Sequence, residues 1–185
     1  MSLNRIAMAA LLAAATILPA QAAVLLPHSG WQAFDIDDLM AASGGTEWID
    51  NTTGAALGFE FTLAGPATLR VVDGGFAGDS FSIVVDGVGH VSSNVPLVRY
   101  EDGPASVGLN FDEAWSNAAY SRFELVLGAG AHSVSGRLLQ SVRLGDLPLN
   151  ATVGGISLVP EPASLATLLA GLGLLTLVLR RGAKK

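Results

Sequence analysis

Alternation of apolar and polar positions dominates the middle of the chain. The clearest case is Leu57–Leu63, where Leu and Phe occupy every second position and Gly, Glu and Thr lie between them. This period of two predicts a strand with one buried face, which Gly65-Pro66 ends. Ala67–Val72 continues the pattern as a second strand before the glycine-rich turn at Asp73.

Further segments repeat this pattern at short spacing. Phe81, Ile83 and Val85 predict the inner face of a third strand, and Asp86-Gly87 offers the positive φ angles that a tight hairpin needs before residues 88–91. Weaker or shorter strands are predicted at residues 97–100, 107–110, 121–127, 131–139, 140–144 and 153–158, with a short helix or wide loop at 112–120. About ten short strands and no long amphipathic helix indicate an all-β fold. We predict an antiparallel β-sandwich, jelly-roll-like, with a closed barrel as the alternative.

The beginning of the chain has the pattern of an export signal. Arg5 precedes the apolar segment Ile6–Leu18, and Ala20-Gln21-Ala22 forms a small-x-small site. We therefore predict a signal peptide over residues 1–22, cleaved between Ala22 and Ala23 by signal peptidase. The absence of a twin-arginine pair predicts export through the general secretory machinery.

The end of the chain is a second apolar segment. Ala163–Leu179 has no formal charge, and as a helix it would be roughly 25 Å long, which is short for a membrane span. Basic residues follow at Arg180, Arg181, Lys184 and Lys185. Because basic flanks stay in the cytoplasm, this stop-transfer segment would anchor a precursor in the inner membrane with a periplasmic ectodomain.

The residues before this segment complete a known arrangement. Val159-Pro160-Glu161-Pro162, an apolar helix and a basic end, in this order, resemble the PEP-CTERM sorting signal of exosortase substrates in Gram-negative bacteria. The resemblance implies that an exosortase recognises the Pro-Glu-Pro motif, cleaves nearby and delivers the ectodomain to the cell surface or the extracellular space. Such proteins typically occur where exopolysaccharide is made, as in biofilms. An uncut membrane anchor is the alternative.

The resemblance also covers part of the ectodomain, and together the features divide the chain into three. Residues 61–81 and 123–134 are similar to β-rich ectodomains that recur among PEP-CTERM proteins. The predicted organisation is a signal peptide at 1–22, an ectodomain at 23–158 and a sorting signal at 159–185.

Charge restricts the partners of the ectodomain. Residues 23–159 contain five basic and fifteen acidic residues, a net charge of −10, against −6 for the whole chain. All its basic residues are arginines. A surface this acidic repels nucleic acid and suits neutral or cationic partners. The chain has no cysteine, so it forms no disulfides.

Catalytic motifs are missing from the sequence. His28, His90 and His132 are scattered, and there is neither a Gly-x-Ser-x-Gly elbow nor a cysteine nucleophile. His132 follows a Gly-Ala-Gly turn and is expected to bond a backbone carbonyl. We predict no catalytic residues and a non-enzymatic protein, with a secreted hydrolase as the remotest alternative.

Two acidic clusters bear on cofactors. Asp73 and Asp79 bracket a glycine-rich loop, and Asp35, Asp37 and Asp38 form a second group. Hard oxygen ligands on loops suit calcium, so a structural calcium ion at Asp73 and Asp79 is one hypothesis, although no cofactor is required. The other is that aspartate next to glycine simply forms turns.

Aromatic residues indicate the second functional hypothesis. A carbohydrate-binding module of the cell envelope would use exposed rings, and Trp115 and Tyr120 share the segment 112–120. The other candidates are Trp31, Trp48 and Tyr100. Because aromatic rings in a small sandwich usually belong to its core, exposure in the fold decides between the two roles.

Overall fold

The computed structural model describes residues 21–160, which form an all-β fold, as predicted. One α-helix, α1 (Phe111–Ser116), and one 3₁₀ turn, Tyr100–Asp102, accompany the strands of this part of the chain. The strands are β1 (Gln21–Val24), β2 (Gln32–Asp37), β3 (Leu57–Leu63), β4 (Ala67–Asp73), β5 (Gly75–Phe76), β6 (Ser80–Val85), β7 (Val88–Val91), β8 (Ser106–Gly108), β9 (Arg122–Leu127), β10 (Gly130–Gln140), β11 (Arg143–Leu144), β12 (Leu147–Pro148) and β13 (Ala151–Pro160).

Two larger sheets carry the fold. The five-stranded sheet has the order β1-β3-β10-β6-β7, and the four-stranded sheet has the order β2-β13-β4-β9. Two small sheets, β5-β8 and β11-β12, lie in the connections. Among the paired strands of the described residues, the expectation of wholly antiparallel pairing is wrong for one pair, because β1 runs parallel to β3. Since the chain crosses to the other sheet as β2 after leaving β1, no hairpin links β1 to β3.

Both larger sheets contribute to one hydrophobic core. Leu69, Ile156 and Phe34 point into it from the four-stranded sheet, and Phe59 and Phe81 do so from the five-stranded sheet. Alternation places these side chains on the inner faces, where their burial supplies the main driving force for folding.

Trp48 is the largest side chain in this core and is fully buried. Its ring stacks on Phe34 with a centroid separation of 3.9 Å and meets Phe81 edge-on. Gly136 on β10 makes room for it, since a Cβ there would lie 2.5 Å from Cε2 of the indole. This predicted candidate for glycan binding is therefore a core residue.

The strongest sequence patterns match the observed strands closely. Residues 57–63 form β3 with the predicted bounds, and Asp86 and Gly87 take φ angles of 51° and 81° in the β6–β7 hairpin. The strand predicted at 97–100 is wrong, because Tyr100–Asp102 is a 3₁₀ turn, and the one at 107–110 shrinks to β8.

β1 and β2 are strands that were not predicted. In β2, Phe34 and Ile36 alternate with Asp35 and Asp37, and this period of two is the sequence pattern that could have predicted the strand.

The predicted membrane segment lies outside the described residues. Between residues 21 and 160, no helix combines the length and apolarity required to traverse a bilayer. Ala163–Leu179, the basic end and residues 1–20 are beyond the part of the chain that the structure describes.

Candidate functional site

A second, smaller apolar cluster lies against the four-stranded sheet, apart from the core. Helix α1 covers it, and two tryptophans at its border are only partly buried. The buried members are Val72, Ala77, Phe111, Ala114 and Tyr120, and Trp31, Val107, Trp115 and Val153 pack against them.

The sequence around α1 explains how this cluster is held. Asn110 caps the helix, since its Oδ1 accepts from the amide of Glu113 at 3.4 Å while its Nδ2 donates to the Glu113 carboxylate at 2.9 Å. Phe111 and Ala114, three positions apart, form the buried face. A Cβ on Gly155 of β13 would lie 2.7 Å from Cγ of Phe111, so this glycine lets the helix approach the sheet.

Trp31 and Trp115 form an aromatic pair at the border of the cluster. Their ring centroids are 5.8 Å apart with an interplanar angle of 45°. Trp31 also contacts Phe111 at 6.0 Å, and its Nε1 donates to Oδ1 of Asp112 at 2.7 Å. The hydrogen bond fixes the orientation of the Trp31 indole, and both tryptophans remain half-buried.

Beside the tryptophan pair lies a groove of about 330 Å³. We call it the aromatic groove. Its size falls at the small end of the range for ligand pockets, about 300–1,000 Å³. It is lined by His28, Gly30, Trp31, Arg70, Asp112, Trp115, Ser157, Leu158, Val159 and Pro160.

Arg70 supplies hydrogen-bond donors to the aromatic groove. Its guanidinium carbon lies 4.8 Å from the ring centroid of Trp115, and its Nε is 3.5 Å from the Glu124 carboxylate. That Nε is buried and makes no hydrogen bond to the described residues. The side chain is held between an indole and a carboxylate, yet it stays 30% exposed. The groove thus combines flat apolar rings, an arginine and the exposed Asp112 carboxylate.

Tyr120 does not belong to this groove, which corrects the pairing predicted from the sequence. Its side chain is only 1% exposed. The hydroxyl donates to the carbonyl of Ala105 at 3.0 Å, and burial together with the charge of Asp73 raises the pKa of Tyr120 to about 12. Trp31, which lies 81 residues before Asp112 in the sequence, takes the place next to Trp115.

Asp73 and Asp79, the predicted calcium ligands, are both deeply buried. Asp73 is fully buried, and its Oδ2 accepts from the amide of Asp79 at 3.2 Å, while its buried Oδ1 has no hydrogen-bond partner among the described residues. Burial, with the nearby Asp79 carboxylate, raises the pKa of Asp73 well above its usual value. Burial also raises the pKa of Asp79 to about 6.

The second acidic cluster has local roles. Asp37 accepts hydrogen bonds from the amides of Leu39 and Met40, and Asp38 accepts from the Asn150 side chain at 2.9 Å. Within residues 21–160, no three His, Asp or Glu side chains are grouped closely enough to hold a metal ion.

His132 lies at the start of β10, and its contacts match the prediction. Nε2 is 3.1 Å from the carbonyl of Gly128, and Nδ1 is 2.7 Å from the Asp86 carboxylate. The hydrogen bond to Asp86 raises the pKa of His132. Both ring nitrogens thus lie within hydrogen-bond distance of acceptors, and when protonated His132 forms an ion pair with Asp86.

The described part of the chain contains four of the predicted processing residues. Ala22 and Ala23 lie in β1, while Val159 and Pro160 end β13, where they pair with Thr68 and Ala67 of β4. Ala20, Glu161 and Pro162 lie outside the described residues, as do Arg180, Arg181, Lys184 and Lys185.

Comparison with known proteins yields no family assignment: no protein-family model matches the chain, and no curated protein matches it significantly.

Proposed function

We propose that this chain is an exported, non-enzymatic protein of the cell surface or extracellular matrix that an exosortase sorts and processes. In this proposal residues 23–158 form a jelly-roll-like β-sandwich ectodomain. Ala163–Leu179 holds the precursor in the inner membrane, and the mature protein associates with exopolysaccharide.

The observation that carries the proposal is the order Pro160-Glu161-Pro162, apolar segment and basic end, which begins at the last residue of β13. β13 is an inner strand of its sheet, and its pairing with β4 continues up to Pro160. A protease that cuts on the C-terminal side of Pro160 would therefore leave this hydrogen-bonded sheet intact. This fits processing that delivers a folded protein.

Processing is tested by the intact mass of the protein recovered from the native envelope and medium. A species that begins at Ala23 and ends near Pro160 is expected, and extra mass on its C-terminus would identify an attached group. The Glu161→Ala, Pro162→Ala double variant keeps Pro160, and hence β13, and should remain uncut in the membrane. An Arg180→Lys, Arg181→Lys variant preserves the charge and should be processed normally. Equal processing of the Pro-Glu-Pro variant and the wild type would refute sorting.

A structural calcium ion at Asp73 and Asp79 remains a separate proposal. The buried, unpartnered Oδ1 of Asp73 supports it, because a cation would compensate a carboxylate removed from water.

A further inference from the structure

We propose that the aromatic groove binds a neutral polysaccharide, with a sugar ring stacked on the Trp31–Trp115 pair. The inference rests on the proposed function, which it deepens by naming the surface through which the ectodomain would associate with exopolysaccharide. Its basis is the combination of rings, donors and acceptors in one groove on the domain surface.

The aromatic pair supplies the stacking surface. Trp31 and Trp115 are half-buried: both pack against the apolar cluster, and both line the groove, where part of each ring stays exposed. The C–H faces of a pyranose ring are apolar and flat, and they stack on an indole without needing a charge. The hydrogen bond from Trp31 to Asp112 orients one indole before any ligand arrives, which reduces the entropic cost of binding.

The polar groups of the groove match the hydroxyl groups of a sugar. Asp112 is exposed, and its carboxylate can accept from hydroxyl groups in addition to the Trp31 bond. The guanidinium of Arg70 has five N–H donors, and its side chain is 30% exposed beside Trp115. A ligand that both donates and accepts hydrogen bonds, as a sugar does, uses both residues.

Charge argues against the other ligand classes. Arg70 already occupies the position of a cation over Trp115, so an ammonium ligand would meet a like charge there. Asp112 lines the groove, Glu124 lies 3.5 Å from Nε of Arg70, and residues 23–159 carry a net charge of −10, so an anionic ligand is repelled. The ligand class that fits the groove is therefore neutral and polar, with flat apolar faces.

The position of the groove fits a polymer. Val159 and Pro160 line it at the end of β13, and Val159 is 38% exposed. A groove on the outside of a sheet accommodates a chain that continues beyond it, whereas an enclosed cavity would admit only a small molecule.

Binding is tested with the full chain, purified in a zwitterionic detergent that contains no sugar. The probes are laminarin, dextran and galactomannan, with alginate as an anionic comparison, and the readouts are tryptophan fluorescence and calorimetry. At least one neutral polysaccharide should bind, and Trp31→Ala and Trp115→Ala should each weaken its affinity about tenfold or more. The matched control is Tyr100→Ala, because Tyr100 is an exposed aromatic residue outside the groove that contacts Phe76, and it should bind normally.

A second measurement needs no variant and so does not depend on the folding of one. N-bromosuccinimide oxidises accessible indoles, and mass spectrometry locates the products. Trp48 is fully buried and should react last, while Trp31 and Trp115 should react first and be protected by the bound polysaccharide.

Three results would overturn the inference: no binding to any neutral polysaccharide of the panel, binding to alginate alone, or binding that survives both tryptophan variants without protection of the indoles. Because the full, uncut chain is used, this outcome is independent of sorting. A chain that binds but is never processed would refute only the proposed exosortase role.

Discussion

The buried carboxyl group of Asp79 should make the stability of this protein fall as the pH rises. The side chain is 2% exposed, and its Oδ1 accepts from the amide of Val142 at 2.8 Å. Hydrogen bonds from Val142 and Thr152 favour the charged form, but the loss of hydration outweighs them. As a result, the pKa rises from 3.8 to about 6 in the folded protein.

The raised pKa of Asp79 decides how stability changes with pH. The folded state holds its proton to a higher pH than the unfolded chain, so the stabilisation is complete below 3.8 and is lost as the pH passes through about 6. At about 1.4 kcal/mol per pH unit, the difference between these values corresponds to about 3 kcal/mol of unfolding free energy. Asp73, whose pKa is also raised by burial, adds to the loss in the same direction.

Urea unfolding followed by tryptophan fluorescence over about pH 4 to pH 8 would measure this loss. Asp79→Asn keeps an acceptor for the Val142 amide but cannot ionise, so its stability should depend less on pH, by about 3 kcal/mol over the range. General charge repulsion also changes with pH in an acidic protein, and Asp102→Asn, on the exposed 3₁₀ turn, controls for the removal of one charge.

Two outcomes of this experiment are informative. If the wild type and Asp79→Asn lose stability equally with rising pH, Asp79 does not titrate as its burial requires and the reasoning is wrong. If calcium restores the stability of the wild type at high pH, and a chelator removes that gain, the cation replaces the proton, as the structural-calcium proposal expects.

The remaining predictions concern packing and a surface ion pair. Gly136→Ala should destabilise the protein by about 1–3 kcal/mol in thermal unfolding, because its Cβ would overlap the Trp48 ring, whereas Gly128→Ala, with nothing within 4 Å, should change little. A melting temperature that is the same for both variants would contradict this. The Asp86–His132 pair should stabilise the folded protein most between pH 3.8 and pH 6.5, the ordinary pKa values of the two side chains. Acid removes the charge of Asp86, and base removes the charge of His132. Asp86→Asn should therefore cost at most about 1 kcal/mol, and less at alkaline pH, as unfolding at several pH values would reveal; an equal cost at every pH would argue against the ion pair.

Local patterns were sufficient to predict the strands in which apolar residues recur at every second position. In β3 buried residues alternate with exposed ones from Phe59 to Leu63, and in β6 the buried Phe81, Ile83 and Val85 occupy every second position. Asp86-Gly87 has the turn chemistry that a two-residue hairpin requires. The segment 97–100 forms no strand because its pairing with β11 is limited to one isolated bridge, between Arg99 and Arg143, and Tyr100 begins a 3₁₀ turn. Strand formation depends on pairing with a neighbouring strand, which the local sequence does not identify.

The candidate groove could be predicted only in part. The segment 112–120 differs from the strands around it, which indicates Trp115 as a candidate, but the sequence pattern pairs it with Tyr120. Tyr120 lies in the same segment, yet its hydroxyl reaches the carbonyl of Ala105 inside the fold. Exposure is a property of the packed structure, so the choice between Tyr120 and Trp31 was beyond any local pattern.

The sequence by itself determined the all-β class, the acidic character of residues 23–159 and the three-part pattern that motivates the sorting proposal. These features are set by composition, by period and by residue order, which are all local. Only the tertiary structure decided that Trp31, Arg70 and Trp115 meet in one groove and that the carboxyl groups of Asp73 and Asp79 are buried away from solvent. Both outcomes depend on which distant segments the sheets bring together, and that is settled by the packing of the whole core.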